Sequence, residues 1–206
     1  MNNTIVTINR ECGSGGGEIA RLLGEMLGLK VYGRAMLEAV ASEFGLTLEE
    51  LDRVKAQKNS WWTDFCRFYQ QFGAASHEIG TTPEVTPTRV YYAEARLLRD
   101  LAAQENCIVV GRAGFHIFRD NPDAIHLLIT ANRDARIARI AKKQNLTADE
   151  AAHVIDDVDR ARDTFVKNVA GTSRYDARNY TACINVTGLD PKGVAGMLAE
   201  QIRRKQ

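Results

Sequence analysis

The sequence has few of the residues that build disulfide frameworks or metal centres. Its four cysteines are scattered and form neither a CxxC pair nor metal-ligand spacing. The four histidines form no ligand pattern, and no Ser-His-Asp order suggests nucleophilic catalysis. We therefore expect free thiols, as in a reducing cytosol.

The sequence also lacks a charge excess and a long apolar run. Its 27 basic and 26 acidic residues give a net charge of +1, which argues against binding a nucleic acid polymer through bulk charge. Any anion site must then be local. No apolar run approaches a membrane span, and the first residues show no signal-peptide pattern. We expect a cytoplasmic protein without a membrane partner, and the oligomeric state stays open.

The distribution of apolar residues predicts an α/β fold. No internal repeat or low-complexity tract interrupts the 206 residues, a length that suits one domain with a small inserted subdomain. Short apolar runs typical of buried strands lie at residues 5–8, 29–32, 107–111, 124–130 and 182–186. Helical spacing dominates between most of them. This alternation predicts a parallel sheet with helices on both faces.

A glycine cluster directly after the first strand is the most informative stretch. Gly13, Gly15, Gly16 and Gly17 stand between that strand and a helical pattern that begins near Ile19. Glycines let several backbone N–H groups converge on one hollow, and the helix adds the positive end of its dipole. The layout favours a phosphate site, with the Ser14 hydroxyl as a further donor. The alternative is a tight turn that binds nothing.

The glycine cluster does not complete the Walker A pattern. That pattern places a lysine after its last glycine to reach the β- and γ-phosphates. Here Gly17 or Glu18 occupies the position, depending on register, and neither supplies a cation. A nucleotide site therefore needs positive charge from elsewhere, and the candidates are Arg10, Arg21 and Arg112.

Further arginines follow two of the later strands. Arg112 stands at the end of the buried run 107–111, where doubly wound sheets bind ligands. Arg133, Arg136 and Arg139 share one face of the helix after the run 124–130. That face is either solvated or an anion clamp, because arginine forks match phosphate oxygens.

Two other segments leave alternatives open. Thr147 and Glu150 form a capping box that opens a helix with an apolar seam of Val154, Val158, Ala161 and Phe165. The charged remainder of that helix is either a salt-bridged surface or a lid. Residues 58–88 are rich in aromatics and then loop-like, which we interpret as a mobile segment over the site. Its aromatics form either a satellite core or a base-stacking wall.

Four stretches together resemble the cytidylate kinase-like family, a branch of the P-loop nucleoside monophosphate kinases. They are residues 8–20 (INRECGSGGGEIA), 107–113 (CIVVGRA), 133–140 (RDARIARI) and the pair 159–162 (DRAR) with 179–185 (NYTACIN). Their order and spacing cover nearly the whole chain. The resemblance implies a phosphotransferase from ATP with Mg²⁺ to CMP or dCMP. It also implies a P-loop NTPase-type sandwich, with a monophosphate-binding insertion at residues 34–88 and a lid at 145–178.

The resemblance also implies roles for individual residues. Arg112 would hold the acceptor phosphate, and Asp159 would orient the acceptor or an arginine. Arg136, Arg139 and Arg162 would wrap the transferring phosphoryl group. The family's phosphate-binding loop would correspond to Gly13, Ser14, Gly15, Gly16 and Gly17, which would hold the donor phosphates. Arg10 and Glu18, beside this loop, are our further candidates for the same site. The metal ligand stays undetermined, with Ser14 and Glu18 as candidates.

The chain departs from the family at two positions. Relatives usually carry arginine where this chain has Gly17, and aspartate where it has Gly33. A nucleotide binder without useful turnover is therefore an alternative. A third hypothesis is a dinucleotide-dependent oxidoreductase, because Gly13 and Gly15 follow a strand. Glu18 occupies the third glycine position of that fingerprint, although Arg34 suits the 2′-phosphate of NADP.

Overall fold

The fold is built on a five-stranded parallel sheet. A computed structural model describes residues 3–33 and 87–205. The strands are β1 (Ile5–Arg10), β2 (Lys30–Tyr32), β3 (Cys107–Val110), β4 (Ile125–Thr130) and β5 (Ala182–Asn185). The helices are α1 (Gly16–Leu27), α2 (Pro87–Gln104), α3 (Gly114–Ile117), α4 (Arg133–Gln144), α5 (Ala148–Ala170) and α6 (Pro191–Lys205), with a 3₁₀ turn at Ala177–Asn179. The α/β class expected from the sequence is confirmed.

The strand order places the glycine loop at the middle of one sheet edge. The order is β2-β3-β1-β4-β5, and every neighbouring pair is parallel. Ile8 of β1 lies in register with Val110 on one side and Leu127 on the other. The segments that follow β1, β3 and β4 therefore emerge together at the carboxyl edge, where doubly wound sheets bind ligands.

The main core lies between the sheet and two helices that pack on it, α1 and α6. Both helices bury an apolar stripe against the strands, as their periodicity predicts. The cluster includes Ile8, Ile108 and Leu127 from the sheet, Ile19 and Leu23 from α1, and Leu198 and Ile202 from α6. Asp190 caps α6, because its Oδ2 accepts the Gly193 amide at 2.8 Å. This packing fixes α1 directly behind the glycine loop.

The chain divides into two compact units, residues 1–33 with 101–206 and residues 34–100. The sheet and all site residues described below belong to the first unit. The described part of the second is the beginning of α2, where the Tyr91 and Tyr92 rings lie 5.6 Å apart. The aromatic-rich segment, Arg34, Cys66 and residues 34–86 of the expected insertion fall outside the described residues.

The buried face of α5 differs from the expected seam. Ala151, Ile155, Asp159, Phe165 and Val166 are its buried residues, whereas three of the four seam positions (Val154, Val158 and Ala161) are only partly buried. The apolar pattern alone left Asp159 on the charged side of this helix, whereas the resemblance gave it an orienting role. In the structure the carboxylate is buried and accepts the Cys12 amide and an Arg136 N–H.

The capping box at the start of α5 is confirmed. The Thr147 Oγ1 accepts the Glu150 amide at 3.3 Å, and the Glu150 carboxylate accepts the Thr147 amide at 2.8 Å. Thr147→Ala removes an acceptor that satisfies one of the helix's first N–H groups. We expect it to lower the free energy of unfolding by about 1 kcal/mol, measured by urea denaturation. Thr164→Ala, an exposed position within α5, is the control, and an equal loss for both variants would contradict the capping role.

Three thiols are free and differ in accessibility. Cys12 and Cys107 are buried, and Cys183 is exposed. Burial raises the pKa of the Cys12 thiol and that of Cys107, the latter to about 11. Within the residues that the structure describes, no helix is long and apolar enough to cross a membrane.

Candidate functional site

The glycine loop joins β1 to α1 in a conformation that requires glycine. Gly13 and Gly15 have φ values of 78° and 86°, in the left-handed region that glycine adopts without strain. A Cβ on Gly13 would also lie 2.8 Å from the Arg136 carbonyl oxygen. Gly15 is the N-cap of α1 and has no side chain to offer the helix. The loop therefore presents backbone alone to anything in front of it.

Several amides of this loop have no protein acceptor. The buried Ser14 hydroxyl donates to the Glu11 carbonyl at 2.9 Å and accepts from the Gly16 amide at 3.3 Å. In the described part of the chain, the amides of Gly13, Gly15 and Gly17 donate to no protein group. Because buried or clustered N–H groups are normally satisfied, and α1 adds its positive dipole end, the loop is suited to an anion. The Ser14 hydroxyl makes its hydrogen bonds within the loop itself.

Four arginines donate to backbone carbonyls between residue 10 and residue 13, where the chain enters the loop. Arg162 Nη1 donates to the Arg10 carbonyl at 3.3 Å, and Arg174 Nη2 donates to the same oxygen. Arg136 Nη1 donates to the Cys12 carbonyl at 3.2 Å, and Arg139 Nη1 donates to the Gly13 carbonyl at 2.7 Å. These contacts fix the backbone from residue 10 to residue 13. They also bring guanidinium groups from α4, from α5 and from the segment after α5 to one place.

Asp159 connects these arginines to the loop. Its Oδ1 accepts the Cys12 amide at 2.9 Å, and its Oδ2 accepts Arg136 Nη1 at 2.6 Å. Arg174 Nη1 donates to Oδ1 at 3.4 Å, and Arg162 Nη1 lies 3.8 Å from the same oxygen. The side chain is 11% exposed. Its geometry is that of a residue that orients arginines and the loop.

Arg10 and Arg112 add charge beside the loop. The Arg10 Cβ lies 2.6 Å from where a Gly16 Cβ would stand, and its guanidinium contacts the Gly111 position. Arg112 is buried, and its φ of 58° is followed by 50° at Ala113. Two successive non-glycine residues with positive φ are strained, and such strain clusters at functional sites. The strained turn places Arg112 at the carboxyl end of β3.

The site carries an excess of positive charge. Among the described residues it gathers Arg10, Arg112, Arg136, Arg139, Arg162 and Arg174, with Glu11 and Asp159 as carboxylates. Burial, followed by the charges of Arg162, Arg174 and Arg112, lowers the pKa of Arg10 to about 9. Burial and Arg174 also lower the pKa of Arg162. Burial and neighbouring like charge both disfavour the charged guanidinium, so a bound anion would offset both effects.

An added polyanion should therefore stabilise the folded protein. It neutralises guanidinium charge that burial and mutual repulsion make costly, and it binds only the native state. At 100 times its dissociation constant, tripolyphosphate should add about 2.7 kcal/mol to the free energy of unfolding, measured by urea denaturation. Sodium chloride at equal ionic strength is the control. Equal stabilisation by both salts would contradict a built anion site.

Two of the expected basic residues lie outside this cluster. Arg133 forms an exposed ion pair with Asp156, in which Nη1 and Nη2 donate to the two carboxylate oxygens at 2.5 and 2.8 Å. The pair raises the pKa of Arg133 and lowers that of Asp156. Arg21 pairs with Glu25 on α1 at 2.5 Å. The face of α4 is thus divided, with Arg136 and Arg139 at the loop and Arg133 at the surface.

Arg174, Asn9 and Tyr180 are site residues that no sequence pattern singled out. Arg174 is fully buried, and its Nη2 donates to Asn9 Oδ1 at 3.3 Å. The Asn9 Nδ2 donates to the Tyr180 hydroxyl at 2.6 Å, and that hydroxyl donates to the Arg174 carbonyl at 2.6 Å. The Tyr180 ring packs on the Phe115 ring of α3, with 5.3 Å between the ring centroids. Arg174 lies in an irregular segment without periodicity, so no pattern marked it as buried.

The residues present offer little to a resident metal ion. Among residues 3–33 and 87–205, no three His, Cys, Asp or Glu side chains cluster as a metal site. Ser14 does not fit as a ligand, because its hydroxyl bridges Glu11 and Gly16. Glu18 is exposed in the first turn of α1 and remains a candidate. Mg²⁺ commonly binds through one or two carboxylates together with substrate phosphates, so a single carboxylate is compatible with a metal carried by the nucleotide.

A model of the cytidylate kinase-like family matches residues 5–188, which include the glycine loop and every arginine of the site. The chain belongs to the cytidylate kinase-like family. The resemblance read from the sequence is thereby confirmed. Comparison with curated protein sequences finds no match.

Solved structures of kinases share the fold. An uncharacterized protein from Eubacterium ventriosum superimposes with a TM-score of 0.70 at 20% identity, covering 98% of this chain and 99% of that one. Shikimate kinases from Acinetobacter baumannii and Bacteroides thetaiotaomicron both give 0.52, at 11% and 12% identity. The superposition with the first covers 99% of this chain and 95% of that kinase. The superposition with the second covers 98% and 96%, respectively. At these identities the likeness shows the fold alone, which is that of P-loop kinases.

Proposed function

We propose that this member of the cytidylate kinase-like family transfers a phosphoryl group from ATP to a pyrimidine nucleoside monophosphate, CMP or dCMP. The observation that carries the proposal is the pairing of loop amides that donate to no described protein group with a cluster of six arginines and two carboxylates. The pairing matches a polyphosphate in both geometry and charge. Family membership supports the phosphotransferase class and favours it over the oxidoreductase hypothesis.

In this proposal the loop amides and the arginines bind different parts of the two substrates. The amides of Gly13, Gly15 and Gly17 hold the donor phosphates, and Arg112 holds the acceptor phosphate at the end of β3. Arg139 and Arg162 each make one contact to a loop carbonyl, so they are placed to neutralise charge that develops on the transferring group. Arg136 and Asp159 position the loop.

The acceptor phosphate needs no catalytic base, because its attacking oxygen is already anionic. Catalysis of this kind depends mainly on positioning and electrostatic stabilisation. Mg²⁺ bound to the nucleotide would neutralise phosphate charge, and Glu18 is the described residue best placed to contact it. The proposal also assigns residues 34–88 to acceptor binding and residues 145–178 to a lid. The reaction would take place in the cytoplasm.

A second candidate is a nucleotide-binding protein with little turnover, and Gly17 favours it. In relatives an arginine usually stands at this position, where it would lie near the donor phosphates. Among the described residues, no atom apart from the neighbouring backbone lies within 4 Å of the place that a Gly17 Cβ would occupy. The position therefore has room for the start of a side chain that this chain does not have.

One screen separates the two candidates. ADP release is followed with ATP, Mg²⁺ and each common nucleoside monophosphate, and binding of each nucleotide is measured in parallel by calorimetry. The kinase proposal expects turnover that depends on CMP or dCMP. Nucleotide binding without acceptor-dependent turnover would support the second candidate. Absence of both binding and turnover would end both proposals.

A further inference from the structure

Arg162 of α5 and Arg174 of the segment after α5 share two acceptors. Arg162 Nη1 donates to the Arg10 carbonyl at 3.3 Å and lies 3.8 Å from Asp159 Oδ1. Arg174 Nη2 donates to the same carbonyl, and its Nη1 donates to the same carboxylate oxygen at 3.4 Å. Carbonyl and carboxylate oxygens each accept more than one hydrogen bond. Both acceptors therefore keep a donor when one of the two arginines leaves.

The two arginines differ in how firmly they are held. The Arg174 side chain has no exposed surface, whereas that of Arg162 is 29% exposed. Arg174 Nη2 also donates to Asn9 Oδ1 at 3.3 Å. Its amide donates to Asp163 Oδ1 at 3.2 Å, and its carbonyl accepts the Tyr180 hydroxyl at 2.6 Å. In the described part of the chain, Arg162 has no hydrogen bond or ion pair beyond the two shared acceptors.

The cost of moving each guanidinium follows from these contacts. Departure of Arg162 would break one hydrogen bond and leave no acceptor without a donor. Departure of Arg174 would break three side-chain hydrogen bonds and empty a buried volume. Burial and the charge of Arg174 also lower the pKa of Arg162, so the Arg162 cation gains by moving to an anion. Arg162 is therefore the mobile member of the pair.

The shared position lies beside the glycine loop. The Arg10 Cβ stands 2.6 Å from the place of a Gly16 Cβ, so the carbonyl that Arg162 contacts belongs to the backbone at the entry of the loop. An anion on the loop would attract a guanidinium held there by a single hydrogen bond. Arginine also matches phosphate oxygens with two parallel donors, which a lone carbonyl oxygen does not offer it.

We propose that Arg174 is a positioning residue, which keeps the Arg10 carbonyl and Asp159 satisfied so that Arg162 can leave them for a phosphate on the glycine loop. The proposal rests on the function proposed above and adds two positions of Arg162 to it. In the first, Arg162 contacts the Arg10 carbonyl, as in this structure. In the second, it contacts phosphate oxygens. Without Arg174, Arg162 would be the only described side chain that donates to this carbonyl, and its departure would leave the oxygen unsatisfied at a higher cost.

NMR of the arginine side chains tests the movement without turnover. Nε–Hε spectra of the full chain labelled with ¹⁵N-arginine are recorded as tripolyphosphate is added, and loss of a resonance in Arg162→Lys or Arg174→Lys assigns it. The Arg162 resonance should shift in a saturable manner, and the Arg174 resonance should shift less. An unmoved Arg162 resonance at saturation, or a larger shift of Arg174, would overturn the proposal. This titration uses the wild-type protein, so it decides even where a variant fails to fold.

A double-mutant cycle tests whether Arg174 acts through Arg162. Arg174→Lys keeps the charge but replaces the fork of donors by one ammonium group. It should lower kcat for ADP release with ATP, Mg²⁺ and CMP by about 10-fold and leave KM within about 2-fold, as expected for coupled residues of one network. In the Arg162→Lys background the same change should lower kcat by less than about 2-fold. Arg178→Lys, in an exposed pair with Asp176 of the same segment, is the control.

The outcomes separate this proposal from the proposed function. Equal losses of kcat from Arg174→Lys in both backgrounds would indicate a purely structural residue and would leave the kinase proposal intact. A shift of Arg162 on tripolyphosphate in a protein without turnover would support the movement and contradict the kinase proposal. A wild-type protein that binds neither tripolyphosphate nor ATP would contradict both.

Discussion

Asp159→Ala is expected to lower the free energy of unfolding by about 3–5 kcal/mol, the usual range when one partner of a buried ion pair is removed. The substitution removes the acceptor of the Cys12 amide and leaves Arg136 and Arg174 buried without their carboxylate. The loop would lose its main tie to α5 at the same time. Nucleotide binding should therefore weaken together with stability.

Urea denaturation of Asp159→Ala and Asp157→Ala provides the measurement. Asp157 lies two residues away on the same helix, in an exposed pair with Arg160 at 3.5 Å. Exposed pairs contribute about 0–1 kcal/mol, so this variant controls for loss of an aspartate from α5. Similar losses in the two variants would show that the buried network contributes little. Asp159→Asn keeps the shape without the charge and should fall between wild type and Asp159→Ala.

Gly17→Arg is expected to raise kcat/KM for phosphoryl transfer by at least about 10-fold and by up to about 10³. An arginine that stabilises the transferring phosphoryl is worth about 10³ or more in rate, and the family usually carries one here. The backbone accepts the change, because Gly17 has no positive φ and the position is open: in the part of the chain that the structure describes, no non-neighbouring atom lies within 4 Å of a Cβ here. Steady-state ADP release with ATP, Mg²⁺ and CMP is the assay.

Stability should change little in this variant. Arginine forms helices better than glycine by about 1 kcal/mol, whereas a cation in the first turn opposes the helix dipole by about 0.3–1 kcal/mol. Gly17→Ala makes the same backbone change without the guanidinium. The ratio of the two variants' kcat/KM values therefore measures the effect of the guanidinium charge. A ratio near one would mean that the missing arginine does not limit this enzyme.

The sequence predicted the architecture because the fold depends on repeated local patterns. The buried run of β3, the stripe of α1 and the capping box at Thr147 each follow from the order of a few neighbouring residues. The glycine loop was recognisable for the same reason. The conformation of this loop depends on consecutive residues, and Gly13 and Gly15 adopt the positive φ that it requires.

The buried polar network could not be predicted in this way. Arg174 contacts Asn9, 165 residues earlier in the chain, and Asp159 accepts the amide of Cys12, 147 residues earlier. Such contacts have no local period, because tertiary packing alone brings the partners together. For the same reason Arg133 and Arg136 looked equivalent on one helix face, although only Arg136 reaches the loop.

The central claim is that loop amides receive polyphosphate, and NMR of the protein labelled with ¹⁵N-glycine tests it most directly. Titration with tripolyphosphate should shift the amide resonances of Gly13, Gly15 and Gly17 downfield in a saturable manner, because each N–H gains a charged acceptor. Gly188 and Gly196, which lie after β5 and within α6, should not move. Binding that leaves the three loop resonances in place would contradict the account.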